Sequence, residues 1–167
     1  MPQPIKYLDL ELSSKFGDEL CIRDFAGWAM PIRFRVTGVV NHTAFCLGNG
    51  QIIEANPGGV KINPIGKYQK KRWSLLTPKI PLTAEEAKQM AVFAMAQKGK
   101  GYDYLGVLGI TLNIPINERE KWYCSELSYG IRKAAKVIVV ERVKKIVLPQ
   151  DIYQSIYFKE KGNTLRI

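Results

Sequence analysis

His42 is the only histidine of the chain, so a catalytic imidazole can come from no other residue. Histidine is the commonest general base in enzymes because its unperturbed pKa lies near neutral pH. The residue stands within 41–45, at the predicted start of a β-strand. A lone histidine in such a place is also often a half-buried structural residue, and the strand alone leaves both interpretations open.

Glu54 is the carboxylate best placed to serve that imidazole. It stands among apolar residues of the next predicted strand, where an unpaired buried charge would be costly. If 48–50 forms a three-residue loop, Ala44 pairs with Glu54, and His42 becomes its diagonal neighbour, about 6 to 8 Å away at Cβ. With a two-residue turn Glu54 faces the other side, as an outward-facing strand carboxylate. Glycine at the third loop position favours the first register.

Cys124 is the candidate nucleophile because a helix is predicted to begin there, over 124–135. The unpaired N–H groups and the dipole of a helix start stabilise a thiolate, and those groups can also bind a developing oxyanion. The alternative is a buried structural cysteine, which suits Cys21 and Cys46 better. Together, Cys124, His42 and Glu54 provide a nucleophile, a base and an orienting group, although spacing alone does not show that they meet.

The elements that must position these residues are short. Short apolar or alternating runs predict strands at 20–22, 33–40, 42–47, 51–55, 60–64, 73–76, 137–140 and 146–148. Helices are predicted from a Thr83–Glu86 capping box to about Gln97, after Asp103 as far as Leu112, and over 124–135. A turn is predicted at 149–151. Strands and helices that come in runs predict one α+β domain over 1–167.

Composition narrows the class of protein. The length of 167 residues suits one domain with its own core. The net charge of +10 indicates either an anionic surface as partner or a solvated basic exterior. The densest basic runs, 67–72 and 132–145, have no accompanying nucleic-acid motif, so nucleic acid has no specific support as a partner.

The cysteine and histidine counts bear on metals and on the compartment. Three widely spaced cysteines and one histidine predict neither a disulfide framework nor a zinc site, and we expect no metal or cofactor. The sequence shows no apolar leader and no run long enough for a membrane span. We therefore expect a cytoplasmic protein, unless another route exports it.

The order His42, Glu54, Cys124 resembles that of the circularly permuted papain-like amidases, relatives of the NlpC-type peptidases and of the lecithin retinol acyltransferase family. The hairpin that carries His42 and Glu54, combined with the Trp-Tyr-Cys-Ser-Glu-Leu run at 122–127, is the most specific part. The similar segments span roughly 17–155 in the order typical of the family. They are Gly17–Asp18, 41–44, 50–55, 101–104, 122–127 and 148–151.

The resemblance implies a papain-like α+β fold in which a nucleophile helix packs on an antiparallel sheet that carries the base. It also implies that Glu54 orients the imidazole. The activity expected is that of a cysteine amidase or peptidase, acting through a thioester acyl-enzyme on a peptide, cell-wall or N-acyl amide. Tyr102 and Tyr104 would lie near such a site, either lining it or serving in packing.

Two other functions stay open on the sequence. An acyltransferase or thioesterase for lipid-like acyl groups would use the same nucleophile, and an apolar groove near Cys124 would favour it. A polar open cleft would favour the hydrolase. A non-catalytic binding module on the same fold is the third hypothesis, although the presence of Cys124, His42 and Glu54 argues against it.

Overall fold

The computed structural model describes residues 8–23, 38–116, 118, 120–140 and 146–165. Along this part of the chain a short helix and a run of strands come first, and helices with short strands between them follow. In chain order they are α1 (Leu10–Ser13), β1 (Glu19–Arg23), β2 (His42–Gly48), β3 (Gln51–Asn56), β4 (Gly59–Pro64), a 3₁₀ turn (Ile65–Tyr68), β5 (Arg72–Pro78), α2 (Ala84–Gln97), β6 (Gly101–Tyr102), α3 (Tyr104–Leu112), β7 (Lys121–Trp122), α4 (Cys124–Ala134), α5 (Pro149–Tyr153) and β8 (Phe158–Asn163).

A six-stranded antiparallel sheet forms the centre of the described structure. Its strand order is β4-β3-β2-β1-β5-β8, so the hairpin of β2 and β3 lies inside the sheet rather than at its edge. Helix α4 packs across β2 and β3 and also against α2. The short strands β6 and β7 pair in parallel beside this sheet, and β7 leads directly into α4. The first residue of α4 is therefore held close to the first residue of β2.

The hairpin between β2 and β3 has the predicted register. Phe45 lies opposite Ile53, which is the register that places Ala44 opposite Glu54. Side chains of residues two apart on a strand share one face, so His42 and Glu54 project from the same side of the sheet. The prediction that the two residues are diagonal neighbours is confirmed.

The tip of this hairpin reaches that register by a different route from the one expected. A bulge lies between Cys46 and Gly48, and Gly48 pairs with Gln51. Asn49 and Gly50 then form a two-residue turn, with φ angles of 52° and 69°. Gly48 has a φ of 80°, a conformation that favours glycine and is typical of a bulge. One extra residue in β2 therefore offsets the shorter turn.

The predicted helix starts are also confirmed. Thr83 accepts a hydrogen bond from the backbone of Glu86 at 3.2 Å, and the Glu86 carboxylate accepts one from the Thr83 backbone at 2.8 Å. Asp103 caps α3 by accepting a hydrogen bond from the Gly106 backbone at 2.6 Å. Helix α4 begins at Cys124. The side chains of Thr83 and Asp103 bind backbone N–H groups that a helix start leaves without partners.

Two predicted strands near the C-terminus are wrong. Residues 137–140 and 146–148 form no strand, and Val139 and Val147 are instead buried in a core cluster with Phe158. A short apolar run fits a buried loop as well as a strand, because its periodicity is too brief to distinguish them. Of the strand predicted at 33–40, residues 33–37 lie outside the described residues and 38–40 form no strand.

The segment after 148 is also different from the prediction. The expected turn at 149–151 is the start of helix α5, whose first turn contains Pro149 and whose Asp151 accepts a hydrogen bond from the Leu148 backbone at 2.9 Å. Strand β8 had no sequence signal, since its residues Phe-Lys-Glu-Lys-Gly-Asn are mostly polar. Such a composition is common for a strand at a sheet edge, where one side meets solvent.

A buried ion pair ties helix α4 to the sheet. Arg132 of α4 contacts the carboxylate of Glu19 on β1 at 2.7 Å, and both side chains are almost completely buried. The guanidinium also donates to the Gly17 carbonyl at 3.0 Å and lies 4.7 Å from the centre of the Phe45 ring. Burial raises the pKa of Glu19, while the charge of Arg132 opposes that shift. The pair holds α4 at a fixed position on β1 and β2.

Loss of this pair should destabilise the protein more than loss of a neighbouring surface charge does. We expect Arg132→Ala to lower the free energy of unfolding by about 3–5 kcal/mol, because it leaves the Glu19 carboxylate buried without its counter-charge. Lys133→Ala removes an exposed charge from the adjacent position and should change stability by about 0.5 kcal/mol or less. Urea unfolding measures both, and equal effects of the two variants would contradict the structural role of the pair.

None of the helices within these described ranges is long and apolar enough to cross a membrane.

Candidate active site

The structure brings Cys124 and His42 together. Cys124 is the first residue of α4 and His42 the first of β2, and both are buried. Interaction with the Cys124 thiol helps to raise the pKa of His42, so the two side chains are neighbours. Nε2 of His42 contacts Glu54 at 2.7 Å, which leaves Nδ1 as the ring nitrogen on the side of the thiol. A thiol at a helix start beside an imidazole is the arrangement that favours the reactive thiolate.

Glu54 receives hydrogen bonds from four side chains. His42 Nε2 and the Tyr68 hydroxyl both lie 2.7 Å from Oε2, and Asn63 Nδ2 lies 2.8 Å from Oε1. Lys67 Nζ also binds Oε1 and forms an ion pair with it. Each oxygen of the buried Glu54 carboxylate therefore accepts two hydrogen bonds. A fixed acceptor on Nε2 sets the orientation of the imidazole and keeps Nδ1 aimed at Cys124.

The close contact of Glu54 with His42 and Lys67 shifts the pKa values of the site. Burial alone would raise the pKa of Glu54, but the hydrogen bonds and charges of His42 and Lys67, with the Tyr68 hydroxyl, hold it well below its ordinary range. Burial lowers the pKa of His42, yet hydrogen bonds and charge interactions with Cys124 and Glu54 outweigh it and raise the pKa to about 10. The imidazole is therefore protonated at neutral pH, with a carboxylate on one side and the sulfur on the other.

This raised pKa predicts how stability depends on pH. Protonated His42 stabilises the fold, so its contribution is complete below the ordinary value of 6.5 and is lost as the pH rises through about 10. The free energy of unfolding should therefore fall between neutral pH and about pH 10. In His42→Gln the free energy of unfolding should fall clearly less over this range. Other groups that titrate there are common to both proteins, so the difference between the two curves reports His42. Parallel curves for the two proteins in denaturant titrations would contradict the raised pKa.

Tyr102 and Tyr104, the tyrosines just before and at the start of α3, occupy different places. Tyr102 is buried, and its pKa is raised chiefly by burial and further by the charge of Cys124, which places its ring beside the candidate nucleophile. Tyr104 packs edge-on against Tyr102 with ring centres 5.0 Å apart, and its hydroxyl donates to the Pro57 carbonyl at 3.0 Å. Tyr102 therefore lies by the site, and Tyr104 packs outside it.

The start of α4 is anchored on its side away from the sulfur. The Ser125 hydroxyl donates to the Val147 carbonyl at 2.7 Å, and both residues are buried. Gly106 of α3 has no room for a larger residue, since a Cβ there would lie 3.0 Å from the ring of Tyr123 and 2.5 Å from the Asp103 carboxylate. These contacts fix the residues on both sides of Cys124, and so fix the sulfur relative to His42.

The other two cysteines have surroundings of a different kind. All three are free thiols and all three are buried. Burial, more than any nearby charge, raises the pKa of both Cys21 and Cys46 well above the ordinary value. Cys46 lies in an apolar cluster with Leu20 and Ile52. These surroundings fit the structural interpretation of both residues.

Sequence reasoning missed the three donors around Glu54. Asn63 lies on β4, two residues from Lys61, which is opposite Glu54. Asn63 is therefore a diagonal neighbour of Glu54 on the same face of the sheet. That position follows from the tight turn after β3 and could have been found by pairing the two strands. Lys67 and Tyr68 lie in the 3₁₀ turn, and no periodic signal places that turn over the sheet. The basic run at 67–72 thus contributes one lysine to the site rather than only to the surface.

No metal centre accompanies these residues in the described ranges. Within 8–23, 38–116, 118, 120–140 and 146–165, no three His, Cys, Asp or Glu side chains are grouped so that they could hold a metal ion.

Comparisons with known proteins find a sequence relative and a similar solved structure. No family model matches the chain. The chain is 33% identical over 95 residues to the "Probable lipoprotein peptidase YaeF" of Escherichia coli (strain K12), a match that covers 56% of this chain and 35% of that protein. The match thus spans about a third of the length of that curated relative. The metalloprotein yiiX of Escherichia coli O157:H7 has a similar structure, with a TM-score of 0.69 and 17% identity over 89% of this chain and 97% of that chain.

At this level of identity the structural similarity shows the fold alone. The chain has a papain-like α+β fold, with a helix carrying Cys124 packed on an antiparallel sheet that carries His42. The predicted fold class is confirmed.

Proposed function

We propose that this chain is a cysteine hydrolase of the amidase or peptidase type, in which Cys124 is the nucleophile, His42 the acid and base, and Glu54 the orienting carboxylate. One observation carries the proposal. His42 lies beside a thiol at the start of a helix, and its Nε2 contacts a carboxylate that four side chains bind and that is ionised at neutral pH. Structural histidines rarely need both partners, whereas cysteine hydrolases use this order of groups.

The first half of the reaction follows from the positions of these atoms. The Cys124 sulfur, as thiolate, attacks the carbonyl carbon of an amide, and the C–O double bond opens to an oxyanion. Backbone N–H groups at the start of α4, that of Cys124 included, stabilise the oxyanion. His42 then gives its Nδ1 proton to the leaving nitrogen as the C–N bond breaks, which leaves a thioester on Cys124 and a neutral imidazole.

The second half restores the starting state. A water molecule gives one proton to Nδ1 of His42, and its oxygen attacks the thioester carbonyl. The C–S bond breaks, the carboxylic acid leaves, and the thiolate of Cys124 again faces a protonated imidazole. Glu54 accepts the Nε2–H bond throughout, so the ring keeps its orientation while Nδ1 loses and regains a proton.

The relative named as a peptidase supports the hydrolase class, and the resemblance of the 122–127 motif supports the cysteine mechanism. The substrate class we propose is an amide of a peptide, a cell-wall peptide or an N-acyl group. The chain's charge of +10 would favour an anionic substrate or substrate-bearing surface.

Acyl transfer or thioester hydrolysis on lipid-like groups is the second candidate. The observation that favours it is a stretch of exposed aliphatic side chains on α3, the helix that follows Tyr102. A separate apolar pocket of about 480 Å³ does not serve this purpose, because it is lined by Arg132 and Ile138 at the far end of α4. Arg132 is eight residues along the helix from Cys124, or about 12 Å.

Trapping of the acyl-enzyme tests the proposal and separates the two candidates. The protein is mixed with panels of aminocoumarin amides and of acyl thioesters, quenched in acid, and digested for mass spectrometry. We expect an acyl mass on the peptide that contains Cys124, and its absence in Cys124→Ala. Turnover of amides favours the hydrolase, and turnover of long-chain thioesters alone favours the second candidate. Failure of every substrate to acylate Cys124 would favour the binding module.

A further inference from the structure

Helix α3 and the residues after it form an exposed apolar surface. Residues 104–116 contain no charged side chain. Five aliphatic side chains of this segment are open to solvent, and we call them the aliphatic patch. They are Leu105 (47% exposed), Leu108 (48%), Leu112 (55%), Ile114 (48%) and Ile116 (39%). Apolar stretches of this kind on a soluble surface usually mark an interaction site.

The five side chains belong to one continuous surface. Leu105, Leu108 and Leu112 are spaced by three and four residues, so they lie along one face of the helix. The chain then folds back on itself, since the Ile114 backbone donates to the Gly109 carbonyl at 2.9 Å. A Cβ at Gly109 would lie 2.5 Å from the Ile114 carbonyl and 3.3 Å from the Ile116 backbone, so the returning segment packs directly on the helix.

The inner face of α3 already serves the core. Val107 and Ile110 are buried in the cluster that also contains Leu127 of α4. The helix is therefore apolar on both sides, although only one side is covered by protein. A helix that is hydrophobic all round is normally buried, and here the outer face has no cover among the described residues.

We propose that the aliphatic patch is a docking surface for an anionic lipid bilayer. Its side chains are leucine and isoleucine, and Tyr104, 58% exposed at the start of the same helix, is of a residue type enriched at membrane–water interfaces. A helix of nine residues is about 14 Å long, far less than the bilayer core, so α3 would lie in the interface rather than cross it.

The charge of the chain complements such a surface. The net charge is +10, which attracts the protein to anionic headgroups. The start of α3 contacts the turn after β3 through Tyr104, and the Val60 backbone beside this turn binds the Lys100 carbonyl at 2.8 Å. Lys61 follows Val60 and Lys98 lies two residues before Lys100, and both lysines are exposed. Basic residues combined with an aliphatic face are typical of helices that bind at a membrane interface.

The position of the patch relates it to the candidate active site. Strand β6 ends at Tyr102, just before α3, and pairs with β7, which ends two residues before Cys124. Docking through α3 would therefore hold the start of α4 near the membrane. The docking itself does not depend on Cys124 being catalytic, so it can be tested separately from the proposed hydrolase.

Vesicle flotation of the full chain tests the docking. The protein is mixed with vesicles of phosphatidylcholine alone, or of phosphatidylcholine and phosphatidylglycerol in a three-to-one ratio. We expect binding to the anionic vesicles and much weaker binding to the neutral ones. Leu108→Glu should weaken binding to the anionic vesicles by about tenfold or more, because it places a charge where a leucine side chain would be buried.

Val92→Glu is the matched control, since Val92 is an exposed apolar residue on a different helix, α2. Its binding should stay within about twofold of the wild type. Circular dichroism of each variant shows that both remain folded. Three results would overturn the proposal. They are no binding of the wild type to anionic vesicles, equal binding of Leu108→Glu, and a wild-type dimer that this variant converts to a monomer, which would identify a second copy as the occupant.

Discussion

Replacement of Cys124 by alanine is expected to abolish turnover of any substrate that acylates the protein, and His42→Ala to lower kcat/KM by about a thousandfold. The alanine variant of Cys124 removes the thiol that lies beside the imidazole in the part of the chain that the structure describes. The His42 variant removes the proton that the leaving nitrogen must receive. These are the largest effects on activity that the arrangement of the site predicts.

Cys46→Ala is the control for this experiment. Cys46 is a buried thiol on the same strand as His42, but it lies in an apolar cluster with Leu20 and Ile52 and not at the start of a helix. Its replacement should leave kcat/KM within about threefold of the wild type once the protein is shown to be folded. Retained activity in Cys124→Ala, or a loss in Cys46→Ala as large as that in Cys124→Ala, would mean that the nucleophile is misassigned.

Glu54→Gln should lower kcat/KM by about a hundredfold or more and also move its pH dependence. The charge and hydrogen bond of Glu54 contribute to raising the pKa of His42 to about 10. The form that reacts needs protonated His42, so activity should decline at high pH as the imidazole loses its proton. Without the carboxylate charge that pKa is lower, and the alkaline limb should move to lower pH.

Lys67→Met is the matched comparison, because its effect on the pKa of His42 has the opposite sign to that of Glu54→Gln. Lys67 binds the same carboxylate, but its positive charge disfavours protonated His42. Its removal should leave the alkaline limb in place or move it to higher pH. Rate profiles of kcat/KM against pH measure both shifts. An alkaline limb that moves in the same direction in the two variants would contradict the role assigned to Glu54.

The parts of the fold that sequence predicts are those with local physical causes. The capping box at Thr83 and Glu86, and the cap at Asp103, are short-range contacts between a side chain and its own helix. The hairpin register depends on glycines at the tip, since Gly48 and Gly50 adopt the positive φ angles of the bulge and the turn. These causes act within a few residues, so a single sequence shows them.

The parts that sequence did not predict depend on distant contacts. The buried loop residues Val139 and Val147 resemble strand residues because burial, not pairing, selects their side chains. The polar strand β8 forms because β5 offers it a free edge. Lys67 reaches Glu54 only because the 3₁₀ turn folds over β3. In each case the partner is far along the chain or is a backbone edge, and no spacing rule reports it.

Reactivity of the three cysteines toward iodoacetamide at mildly acidic pH tests the central claim most directly. All three are buried, so exposure alone does not favour Cys124. Mass spectrometry follows labelling at Cys21, Cys46 and Cys124 in the wild type and in His42→Ala. The proposed ion pair predicts fast and selective labelling of Cys124 that slows in the variant. Labelling of Cys124 no faster than the other two, or unaffected by the loss of His42, would contradict the active site.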